Sequence, residues 1–95
     1  MERSPDDWPE EVRAIVARVR ARLPGVEASR LQVKFPGDDD GLWFFDLPGH
    51  DSEVQIESSD GCCPFLVETS ASTERRIRRS VSATAEAVLH FLTES

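Results

Sequence analysis

The chain is poor in the residues that usually carry chemistry. Among 95 residues it has two cysteines, two histidines and one lysine. Cys62 and Cys63 are neighbours. Adjacent cysteines in an ordinary strand or turn do not reach disulfide geometry without strain. That excludes a disulfide framework and points to a reducing compartment. No C-x-x-C is present, and no further cysteine or histidine lies nearby to complete a zinc site. No run approaches the ~20 apolar residues of a membrane span, and MERSPDDWPEE has no apolar stretch of signal-peptide length. A cytoplasmic protein is expected. P-loop and dinucleotide-binding glycine patterns and a nucleophile elbow are absent. Asp38, Asp39, Asp40 and Gly41 lack the alternating ligand spacing of an EF-hand. Ser58 and Ser59 have no histidine placed to activate them, and His50 and His90 stand 40 residues apart. The expectation is therefore a protein that is not an enzyme and uses no cofactor or metal.

Acidity is plentiful. The net charge is −7, which disfavours polyanions as partners of the whole molecule and favours a basic one. With 39% hydrophobic and 31% charged residues the composition is globular. The length suits one domain over 1–95, with residues 1–6 expected as a disordered tail. Ten arginines against one lysine suggest a GC-rich, bacterial genome.

Asp7 and Glu10 form a capping-box-like pair, and Pro9 suits a first helical turn. Val12, Ile15, Val16, Val19 and Leu23 then make an apolar stripe that Pro24 and Gly25 end. Strands are expected over 30–35, 41–47, 52–59 and 65–68, from period-two alternation and intervening turn residues. A second helix is expected from Ser72 or Thr73 to near Leu92, with a stripe of Ile77, Val81, Ala85, Val88 and Leu92. The expected fold is a two-layer α+β sandwich, α-β-β-β-β-α, in which both helices cover one face of a four-stranded antiparallel meander. Leu31, Val33, Phe35, Val54, Ile56, Phe65 and Val67 complete the expected core.

Asp60-Gly61 is a strong hairpin signal. Read as a two-residue loop, it sets Ile56 opposite Phe65, Val54 opposite Val67, Gln55 opposite Leu66 and Glu53 opposite Glu68. An even loop at Pro48-Gly49 pairs Phe45 with Val54 and Trp43 with Ile56, sending Trp43, Phe45 and Leu47 inward. The uncovered face then has a middle row of Gln32, Phe44, Gln55 and Leu66. Arg30, Asp46, Glu53 and Glu68 flank it on one side, and Lys34, Leu42, Glu57 and Pro64 on the other. Phe44, Asp46, Glu53, Leu66 and Glu68 are the candidate partner-binding residues. They suit a basic protein partner, as in an immunity-type inhibitor or a chaperone, or a second copy of the chain.

Arg75, Arg76, Arg78 and Arg79 are the alternative. At the start of the last helix they would form an anion or phosphate site. In element order, and in this basic cluster, the chain resembles a double-stranded RNA-binding domain. That resemblance implies nucleic-acid contact through the same arginines. The family's lysine-rich signature is missing, and a fourth strand is extra.

Overall fold

The computed structural model describes residues 8–30, 41–49, 53–58, 61–70 and 75–93. The elements are α1 (Glu10–Arg22), β1 (Glu27–Arg30), β2 (Leu42–Asp46), β3 (Glu53–Glu57), β4 (Phe65–Thr69), β5 (Arg75–Arg78) and α2 (Val81–Thr93). All strand pairs are antiparallel, and the sheet order β1-β2-β3-β4-β5 is a meander. The α+β class stands as read from the sequence, but the sheet has five strands where four were expected.

In α1 the expected stripe buries Val12, Ile15, Val16 and Val19, while Leu23 caps the helix and is half-buried. Glu10 and Glu11 lie at the positive end and Arg20 and Arg22 at the negative end, both favourable to the helix dipole. Pro9 takes the N-cap position with no side-chain cap; Asp7 lies outside the described residues. Pro24 and Gly25 turn the chain, and Val26 N–H donates to Leu23 O at 3.0 Å.

The sheet departs from expectation at both edges. β1 begins earlier, at Glu27, and only Arg30 of the expected strand is described; Leu31, Gln32, Val33, Lys34 and Phe35 lie outside the described residues. At the other edge, Arg75–Arg78 is a strand and not the start of a helix. α2 begins at Val81, where Ser80 Oγ accepts from Ala83 N–H at 3.0 Å and Ser80 O accepts from Thr84 N–H at 2.9 Å. The physical reason is electrostatic as well as local. A helix from Ser72 would set four arginines against its own positive end, whereas the actual first turn of α2 carries no charge. Ile77, expected in the core, is 60% exposed on β5.

The β2–β3 register is as read from the sequence, with Trp43 opposite Ile56 and Phe45 opposite Val54. Gly49, at φ +90°, supplies the turn conformation that a residue following proline at this position requires. The β3–β4 register is shifted by two residues: Ile56 pairs with Val67, Val54 with Thr69 and Gln55 with Glu68. The Asp60-Gly61 segment is not a two-residue loop. Ser58 Oγ donates to Cys62 O at 2.7 Å and accepts from Cys62 N–H at 3.2 Å, and Gly61 N–H donates to Ser58 O at 3.2 Å. These bonds enlarge the turn. Pro64 has no N–H for the ladder, so β4 starts at Phe65. A shift of two leaves each side chain on its original face.

One core results. Trp43, Phe45, Val54, Ile56, Phe65 and Val67 are buried on one side of the sheet. They join the α1 stripe and Ala85, Ala87, Val88, Leu89, Phe91 and Leu92 of α2. Trp8 and Val26 also enter it, from outside the periodic segments. Arg30 and Arg76 lie on this covered side. Their guanidinium groups stand 5.2 Å from the Trp43 ring and 5.1 Å from the Phe91 ring, in cation–π range.

Candidate functional site

The side of the sheet opposite the core is crossed by three rows of side chains. The first is Glu27, Asp46 and Glu53, one residue from each of β1, β2 and β3. All three are exposed, and among the described residues none engages a cation. The second row is Ser29, Phe44, Gln55, Glu68 and Arg75. The third is Leu42, Glu57, Leu66 and Ile77. Leu42, Phe44 and Leu66 are half-buried. With Ile77 they make an apolar band from β2 to the β5 edge, in which Glu57 stands between Leu42 and Leu66.

Phe44, Asp46, Glu53 and Leu66 share this face as expected from the sequence. Glu68 shares it but is not opposite Glu53. It lies between Gln55 and Arg75, and its carboxylate stands 3.5 Å from Arg75 Nε. The two-residue register shift thus replaces a repulsive carboxylate pair with an attractive ion pair. Arg30 is on the covered side, so it does not end the acidic row; Glu27 does. The short strand Glu27–Arg30 hid Glu27 from sequence reading, because four residues show too little alternation to reveal a strand.

The four arginines do not gather at a helix N-terminus. Successive residues of β5 point to opposite sides, so Arg75 and Ile77 belong to the uncovered side, and Arg76 and Arg78 to the side bearing α2. The expected placement of these arginines in the first turns of a helix is therefore corrected: they lie on β5 and just beyond it. So is the part of the likeness to a double-stranded RNA-binding domain that rested on it.

Elsewhere the side chains are engaged structurally or stand apart. Ser58 Oγ is held by Cys62 in the turn. His90 is exposed on α2, beside the Phe91 ring; His50 lies outside the described residues, as do Asp38, Asp39 and Asp40. Among the described residues no three His, Cys, Asp or Glu side chains converge on a point. A groove of about 210 Å³ between α1 and α2 is lined by Arg18, Ala21, Arg22, Ser82, Ala85, Glu86 and Leu89. That is below the ~300 Å³ at which small-molecule sites begin. No described helix is long and apolar enough to cross a membrane.

The cysteines flank the junction of the β3–β4 loop with α1. Cys63 N–H donates to Glu11 Oε2 at 3.2 Å, and the thiol also hydrogen-bonds this carboxylate. The Glu11 carboxyl is held below its usual range by these two bonds. Burial first, then the bond and charge of Glu11 and the neighbouring Cys62, push the Cys63 thiol up to about 11. Two opposite pH dependences follow. The Glu11 contribution is present above the ordinary carboxylate pKa and is lost as pH falls through the lower folded-state value. The Cys63 contribution is full below 9.0 and is lost as pH rises through about 11. At pH 8 about one Cys63 thiol in a thousand is ionised. Iodoacetamide at that pH is expected to label exposed Cys62 first, with Cys63 labelled more slowly, faster in Glu11→Gln than in the wild type, and fully only well above pH 9. Peptide mass spectrometry reads the order; an unchanged Cys63 labelling rate in Glu11→Gln would remove the Glu11–Cys63 contact.

No family model matches the chain, and neither curated proteins nor solved structures contain a significant match to it.

Proposed function

We propose that this protein is a small, acidic, non-enzymatic binding module that docks a basic protein partner on its uncovered sheet face, in the manner of an immunity-type inhibitor or a chaperone. The observation that carries this reading is the row Glu27, Asp46 and Glu53. Three exposed carboxylates stand side by side on adjacent strands, where like charges destabilise a sheet. Arginines or lysines on a partner would relieve that repulsion. The apolar band of Leu42, Phe44, Leu66 and Ile77 beside it would supply the contact area that charge alone does not. The same band would serve a second copy of the chain, but the net charge of −7 opposes self-association.

The test compares capture from native lysate by the wild type and by Phe44→Ala/Glu53→Lys at equal folded concentration. Basic proteins retained by the wild type at low salt, released as salt rises and lost in the variant, are the expected result. An unchanged captured set would remove the face from consideration. Light scattering across a concentration series reports a dimer directly.

A further inference from the structure

Among the described residues β5 is an outer edge of the sheet, beyond β4, and it concentrates positive charge in an otherwise acidic chain. We infer that this edge accepts an extended acidic segment of another protein as a sixth, edge-paired strand, so that the molecule has a second docking surface of opposite sign to the uncovered face.

Three observations carry the inference. β4 is the sole neighbour of β5 within the described sheet, so the Arg75 and Ile77 backbone groups face outward; the Ile77 carbonyl accepts from the Arg78 guanidinium at 3.2 Å, a bond that an incoming strand would displace. Such an edge is a ready template for strand addition. Arg75 and Ile77 alternate on the uncovered side of the strand, and exposed Arg79 follows its end. Arg75 is 70% exposed, although it reaches Glu68, and Ile77 is 60% exposed; Arg79 is exposed too. A paired strand of alternating acidic and apolar residues places a carboxylate beside Arg75 and an apolar side chain against Ile77, within cross-strand distance of about 5 Å, and its next carboxylate toward Arg79. On the other side Arg76 is braced over Phe91, and the Arg78 guanidinium donates to Ile77 O at 3.2 Å. The positive charge there is therefore held close to the strand.

The same pattern disfavours other occupants. Two β5 edges paired antiparallel would bring arginine against arginine. A nucleic acid would meet the local arginines but also the field of a chain of net charge −7.

The probe is a short fluorescein-labelled peptide of alternating glutamate and valine, followed by fluorescence anisotropy at low salt. Binding to the wild type is expected, with a loss of about two- to thirty-fold in Arg75→Gln/Arg79→Gln, since two exposed charge pairs are removed. The same peptide N-methylated at alternate residues cannot complete a ladder and is expected to lose at least as much. Amide shifts in a labelled protein are expected on β5 and not on β1, which keeps the result readable if the variant folds poorly. Failure to bind at low salt would leave the arginines as a guard against edge aggregation and overturn the inference. Equal binding of the N-methylated peptide, or of a single-stranded RNA of similar charge, would overturn it in favour of plain charge attraction. Ile77 also belongs to the apolar band of the uncovered face, so Phe44→Ala/Glu53→Lys, which leaves β5 unchanged, is the control: it is expected to keep the peptide, and loss of binding in it would assign the peptide to that face.

Discussion

Trp43→Ala is expected to cost about 3–5 kcal/mol, a large share of the 5–15 kcal/mol typical of a domain, while Trp43→Phe stays within about 1 kcal/mol of the wild type. Trp43 is the largest fully buried side chain, at 1% exposure. Its truncation would open a cavity between β2 and the helices. The phenylalanine substitution works differently. Trp43 Nε1–H is buried and has no acceptor among the described residues. An unsatisfied buried donor costs about 1–3 kcal/mol, so removing it offsets much of the apolar area lost with the larger ring. A benzene ring also keeps a face for Arg30. Denaturant unfolding of the three proteins decides the matter. If the phenylalanine variant is as unstable as the alanine variant, the indole N–H is satisfied and shape alone governs the site.

Gly61→Ala is expected to cost about 2–4 kcal/mol, and Pro9→Gly in the same chain is expected to restore part of it. Gly61 has φ +72°, where a Cβ costs about 1–2 kcal/mol. A Cβ there would also meet Pro9 Cγ in direct overlap and Pro9 Cβ at 2.7 Å. The proline ring is rigid and cannot swing aside. Pro9→Gly removes both atoms while leaving an acceptable N-cap residue, so the two substitutions should be coupled and not additive. Thermal melts of both single variants and the double variant measure this. Strict additivity would show that the β3–β4 loop moves off the start of α1, and with it the contact between Cys63 and Glu11.

The uncovered face was largely legible in the residues. Period-two alternation assigned Phe44, Asp46, Glu53, Leu66 and Glu68 to one side of the sheet, and the structure keeps them there. Their neighbours were not legible. Whether Glu68 meets Glu53 or Arg75 depends on register, and a two-residue slip leaves the alternation unchanged. The slip arises from Ser58 bonding Cys62 around the turn, a side-chain choice that a dipeptide turn signal does not reveal. The arginine cluster was misplaced for a related reason. Four arginines have ample helix propensity, and Ile77 fits a helical stripe as readily as a strand.

By itself the sequence determined the α+β class, the buried stripe of α1, the inward set of β2, β3 and β4, and the acidic character of the chain. Each of these is local, because side-chain periodicity and charge need no partner to be defined. Only the tertiary structure decided that β1 starts at Glu27, that β4 slides by two, and that Arg75–Arg78 closes the sheet as its edge. Those features depend on which backbone groups find a partner across the chain. Pairing between strands leaves no periodic trace in either strand alone, even where the two are neighbours in sequence.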